Sequence, residues 1–276
     1  MKTRCKQSGR TLAEMTVVIT AIVLLGSIGL PAIRAFLNSF ESGTGAKPVI
    51  SAALASARAI AAKEQRYAGI RFQKAYSPEG PLKASQYMIF IVQDPSIGAY
   101  FFRAVEGLQP IKLPDTLGVI DMRYRPNFLS PPGDGIIDND GEISNLDMLR
   151  DTTAFSIIFS PSGKLLIHDV QVRNRDGERD TVANSGHISN DDVFNKKAQV
   201  DAGIAMFYQD DYFGVLNNPY GNLGLGPEPS RRGFIIYDRQ ELKQAYERGQ
   251  AYSGYLAKLV PDEVYINPYT GTMIEK

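Results

Sequence analysis

The hydrophobic and polar positions divide the chain into three textures. Lys2, Arg4, Lys6 and Arg10 come first, followed by a single acid, Glu14, and then 19 uncharged, mostly apolar residues from Met15 to Ile33. As a helix that run is roughly 28 Å long, close to the thickness of a bilayer's hydrocarbon core. Its basic flank predicts a cytoplasmic N-terminus and an extracytoplasmic remainder. The glycines and proline of "ESGTGAKP" (41–48) break the pattern. In the alanine-rich stretch from Val49, Ile50, Ala53, Leu54, Ala57, Ile60 and Ala61 recur at helical spacing, so a helix is predicted over 48–66. β-Branched and aromatic runs then predict strands at 67–73, 85–95, 100–107 and 117–124. A hairpin is predicted over 154–174, turning at Ser160 to Gly163. A helix followed by antiparallel strands is an α+β arrangement. In the tail, a polar stretch from Arg175 reads as a loop and "RGFIIYD" (232–238) as a strand. Leu242, Ala245, Tyr246, Gly249, Tyr252, Leu256 and Leu259 read as one amphipathic helix of about five turns, and 263–271 as a strand and turn. Nine of the 14 tyrosines lie from Tyr208 onward. Tyrosine suits both a small β core and a contact surface, and here it is read as core plus some interface.

Composition changes the picture little. Lys+Arg and Asp+Glu are both 30 and the net charge is +0, without the basic excess of a nucleic-acid binder. The one cysteine, Cys5, precedes the apolar run and has no internal disulfide partner; two histidines, His168 and His187, are too few for an ordinary structural zinc site. The N-terminal run has three readings. A secretory signal peptide would have a shorter apolar core and small residues at its cut, where this chain has Leu30-Pro31-Ala32-Ile33-Arg34. A plain signal anchor accounts for the length but not for Glu14. The third reading gives the acid a function, since an acid beside a membrane segment is costly without a cationic partner.

Residues 8–34 resemble the N-terminus of type IV pilins and type II secretion pseudopilins. In that family a short basic leader ends in glycine and is cut by prepilin peptidase, and glutamate is the fifth residue after the cut. Here Gly9 and Arg10 flank the implied cut, Glu14 is the fifth residue after it, and Pro31 matches a proline of the family's helix. The family has phenylalanine directly after the cut, where this chain has Arg10, whose new amine the resemblance would methylate. In a filament that amine would lie near Glu14 of a neighbouring subunit, in apolar surroundings that strengthen the pair. Removal of Lys2, Arg4 and Lys6 would leave a formal charge of −3. "ASARAIAAKEQRYAGIRF" (55–72) and "IIFSPSGKLLI" (157–167) resemble the minor pseudopilins of the GspH/FimT type. The resemblance covers about residues 1–175.

It implies an α+β fold: a long membrane-spanning pilin helix (10–40) after a leader (1–9), then a second, Ala-rich helix packed on an antiparallel β-sheet head (41–175, with an insertion at 125–151). A C-terminal α/β extension of unassigned role (176–276) would follow. It also implies an inner-membrane, single-pass protein with a periplasmic head, whose partners are prepilin peptidase, other pilin-like subunits and, before assembly, membrane lipid. The alternative is a membrane-anchored extracytoplasmic binding module that does not polymerise.

The insertion aligns with a calcium-binding loop: Asp138 and Asp140 fall at its third and fifth places, Gly141 at its sharp turn and Asp147 at its twelfth place. Ile136 occupies the first place and Asp134 stands close by, so Asp134, Asp138, Asp140 and Asp147 are candidate Ca2+ ligands, against the alternative of a solvated acidic turn. Several pseudopilins use calcium. No enzyme is expected: "FSPSG" (159–163) lacks the glycine of a nucleophile elbow, and no phosphate-binding glycine loop or HExxH occurs. Some FimT-like proteins bind DNA, but Arg231-Arg232 is the basic pair that stands out in the tail, a small surface for phosphates, so nucleic acid is not an expected partner.

Overall fold

The structure, a computed structural model, describes residues 45–125, 134–178, 193–211 and 225–275. Helix α1 (Ala46–Glu64) arises from its alanines and buries Ile50, Ala53, Leu54, Ala57 and Ala61 along one side. Gln65, at φ 52°, ends it in a left-handed turn, and strand β1 (Ala68–Lys74) begins three residues later. The small helix side chains bring α1 close to Ala68, Ile70 and Phe72 of β1.

Strands β2 (Gln86–Gln93), β3 (Phe101–Ala104), β4 (Ile111–Lys112) and β5 (Leu117–Ile120) follow. The former insertion contributes a 3-10 turn at Asp140–Ile143 and helix α2 (Leu146–Thr152), capped by the Asn145 side chain. Next come β6 (Phe155–Phe159), β7 (Leu165–Leu166) and β8 (Asp169–Val172). The tail adds β9 (Phe194–Asn195), α3 (Lys197–Asp201), β10 (Phe207–Tyr208), β11 (Glu228–Pro229), β12 (Gly233–Asp238), α4 (Arg239–Glu247), α5 (Ala257–Leu259), β13 (Val264–Ile266) and β14 (Met273–Glu275). The main sheet runs β11-β8-β3-β2-β1-β6-β7 with β4 beside β2, and a second sheet runs β14-β13-β12-β5.

Several expectations are corrected here. Among the described residues no helix is long and apolar enough to cross a membrane. The segment 10–40, for which the spanning helix is expected, lies outside the described residues, as does the leader. The sheet is mixed, not antiparallel, because β3 and β8 pair in parallel. The predicted hairpin ends at Leu166. Three residues later β8 begins and pairs with β3 and β11 instead, because the sheet is curled and brings its two ends together; Val170 and Val172 join a core with Ile89, Ile91, Phe102 and Phe207. The tail is no appended extension: β11 edges the main sheet, β12 pairs with β5, and Phe234, Val264 and Ile266 complete the core beneath α1. The five-turn helix is interrupted after Glu247, where Gly249 takes φ 69°, and the chain resumes as a π-helical turn at Tyr252–Leu256.

The result is a layered fold in which β1 is buried along its whole length, with α1 over one face and tail segments over the other. Gln86 joins the two sheets. Its Nε2 donates to Val119 O and Thr153 O, both at 2.8 Å, and its Oε1 accepts from Val119 N–H at 2.8 Å. At Gly69 the backbones of β1 and β6 come so close that a Cβ would lie 2.0 Å from Ile157 O.

Gln86→Leu leaves three buried backbone groups unpaired, and a loss of about 2–4 kcal/mol is expected in denaturant unfolding. A wild-type midpoint would show that β5 is held by its other contacts. Gly69→Ala is expected to lower stability by about 1–3 kcal/mol through strand displacement, read as a fall in Tm.

Candidate functional site

Alternation along β1 points Arg71 and Gln73 away from α1, a direction that ordinarily meets water. Here the tail covers them. Arg71 is fully buried: Nη2 donates to Asp210 Oδ1 at 2.8 Å, Nη1 to Glu228 Oε1 at 3.1 Å, and Nε to Gln73 Oε1 at 2.6 Å. Ser156, directly across from Arg71 on β6, donates to the same Glu228 oxygen at 3.0 Å. The other Glu228 oxygen faces Arg125 Nη2 at 3.1 Å and Arg231 Nη2 at 3.8 Å. Arg125 is paired in turn with Asp151, and Arg231 with Asp121. Three guanidiniums and four carboxylates thus share one buried network.

Burial of the acids has a titration consequence. Burial pushes Asp121 up to about 6 despite the opposing Arg231. Burial likewise raises Asp210 to about 6, against the pull of Arg71 and Arg125. Burial works against the charge of Arg125, yet Glu228, Asp151 and Asp210 outweigh it and hold the guanidinium above its ordinary value. Elsewhere Lys74, at the end of β1, reaches Ala84 O at 3.4 Å, a carbonyl it shares with Arg239 at 2.8 Å. Burial first, and Arg239 second, bring this lysine down to about 7.

The network reaches a surface groove. Asp121 and Arg231 line a groove of about 530 Å³ where the β11–β12 connection passes the segment after β5. Arg123 and Arg232 stand exposed along it, and neither side chain makes a hydrogen bond or ion pair among the described residues. Ile136, Ile167 and Tyr265 supply its apolar lining and remain 39%, 44% and 37% exposed. Glu263, also at the groove, accepts a hydrogen bond from the Tyr265 hydroxyl.

The residues singled out by sequence are placed as follows. Gly9, Arg10, Glu14 and Pro31 lie outside the described residues. Asp134 accepts from Ile136 N–H at 2.9 Å in a local turn, and Asp138 Oδ1 accepts from the Asn139 side chain at 2.9 Å. Asp140 accepts from Tyr252 N–H at 2.7 Å and Ser253 N–H at 3.0 Å, capping the helical turn of the tail. Asp147, in the first turn of α2, lies 3.4 Å from Arg150. Among the described residues no group of three or more such side chains is gathered to hold a metal ion, so the four aspartates are not brought together as one ligand set. Ile137, Ile143 and Leu149 of the same stretch are buried with Leu242 and Leu256.

Sequence reading missed Arg71, Asp210, Glu228, Arg125, Asp151 and Asp121. A signal did exist in "YAGIRFQ", where Arg71 sits between Ile70 and Phe72 in a strand otherwise fit for burial. Comparison with protein families, with characterised proteins and with solved structures finds no match.

Asp121 binds its proton up to about pH 6 in the folded chain, against an ordinary 3.8. The folded state therefore holds more protons between these values. The stability this group contributes is fully present below 3.8 and is lost as pH rises through about 6. Asp121→Asn removes the dependence. Relative to wild type, the variant is expected to gain about 2–3 kcal/mol between pH 4 and pH 7 in urea unfolding. Parallel pH profiles for the two proteins would show that Asp121 does not titrate in this range.

Proposed function

We propose that this chain is a minor pilin-like subunit, a pseudopilin of the GspH/FimT type, trimmed by prepilin peptidase and assembled into a type II secretion pseudopilus or type IV pilus-like filament that supports protein secretion. One observation carries the reading: Glu14 is the fifth residue after Gly9, at the head of the uncharged run from Met15 to Ile33. Cutting between Gly9 and Arg10 creates an amine that offsets a neighbour's Glu14 in apolar surroundings, where an unpaired carboxylate is costly. The acid thereby favours transfer from the inner membrane into the correct filament register, with Pro31 acting further along the same segment. The work is mechanical, and the head from α1 onward meets other subunits or cargo on the periplasmic side.

A second reading, an anchored binding module that does not polymerise, is favoured by the groove beside Arg123 and Arg232. Glu14→Ala separates the two. Filament incorporation, measured by crosslinking to co-assembled subunits, is expected to fall by about tenfold or more under the first reading and to stay unchanged under the second. Mass and N-terminal sequence of protein from native membranes test the first step. A start at Arg10 that requires prepilin peptidase is expected. Retention of Met1 to Gly9 in the presence of the peptidase, or a start beyond Ile33, overturns the proposal.

A further inference from the structure

Three features of the groove select its ligand. Its floor is already closed, because Arg231 is committed to Asp121 and Glu228, so those groups hold the groove's shape and do not receive a ligand. Its free cations, Arg123 and Arg232, are guanidiniums, planar forks suited to carboxylates. Beside them Ile136, Ile167 and Tyr265 are three large hydrophobic side chains left more than a third exposed in one recess. An apolar recess without the arginines would suit a hydrophobic molecule; arginines on a polar face would suit a free anion. Both together suit a ligand that alternates acid and apolar groups. The volume, about 530 Å³, admits a few side chains and not a folded surface. The small number of free cations disfavours a phosphate backbone.

We propose that the groove between the β11–β12 connection and the segment after β5 is a docking site for an extended, acidic-apolar peptide segment of a partner protein, with Arg123 and Arg232 receiving its carboxylates and Ile136, Ile167 and Tyr265 its apolar side chains. Charge complementarity fixes the class of occupant. The assignment stands on the groove and does not depend on filament assembly.

The test uses the full-length chain in detergent micelles and a fluorescein-labelled decapeptide of alternating glutamate and leucine, followed by anisotropy. Saturable binding below about 1 mM is expected. Binding should weaken about tenfold in the Arg123→Ala/Arg232→Ala double variant, which removes two exposed side chains and is expected to keep the wild-type Tm. Ile167→Ser, and a peptide with serine replacing leucine, should each weaken binding by about fivefold or more. A lysine-leucine peptide should not bind. The proposal is overturned by any of four results: no binding at about 1 mM, equal binding by the double variant, equal binding by the glutamate-serine peptide, or full displacement by inorganic phosphate, which would mark a small-anion site.

Discussion

A single carboxylate facing three guanidiniums organises this molecule. Glu228 sits at the sheet edge in β11 yet touches Arg71 from β1, Arg125 from the segment after β5, and Arg231 from its own connection to β12. Each of those cations has been taken out of water, at a cost of several kcal/mol per ion that only close partners offset. The arrangement is therefore a weak source of net stability and a strong source of specificity. A tail placed differently would strand Arg71 in the middle of a fully buried strand.

That constraint explains the layering. The sheet has one apolar face for α1 and one mixed face, on which Ile89, Ile91 and Ile158 surround the polar strip of Arg71, Gln73 and Ser156. The tail supplies what this second face lacks: Phe194 and Phe207 for its apolar part, Asp210 and Glu228 for its charge. The same commitment shapes the groove. By drawing Arg231 inward, the network leaves its neighbour Arg232 pointing out, and the β11–β12 connection is held open beside the strand end carrying Arg123.

Much of this order was readable from sequence, and the unreadable part has a physical pattern. The alanine periodicity of α1 and the β-branched runs of β1, β2, β6 and β12 are local signals, and the structure keeps them within a few residues. Long-range pairing was not readable. Arg71 looks like a solvent-facing residue until its partners arrive from far along the chain. Arg231 and Arg232 look like one basic patch, yet one is buried in an ion network and the other exposed. The aspartates near residue 140 look like ligands because acids and glycine in a turn resemble an ion-binding loop. Asp140 instead satisfies the free backbone N–H groups of a helical turn more than a hundred residues later, something no local pattern records.

The placement of Glu228 also sets a timetable. Arg71 and Glu228 are 157 residues apart, and Arg231 and Asp121 are 110 apart. At about 5–20 residues per second of synthesis, roughly 8–30 s separate the making of Arg71 from the making of its last partner. For most of that interval α1 and the first strands are complete, but the second face of the sheet, with Ile89, Ile91 and Phe102, has no cover until Phe194 and Phe207 are made. The nascent chain thus carries an open sheet face and an unneutralised arginine until its C-terminal quarter emerges. A holding factor acting on the unfinished chain would have its point of attachment there, and a chain cut short before Phe194 would keep that face exposed.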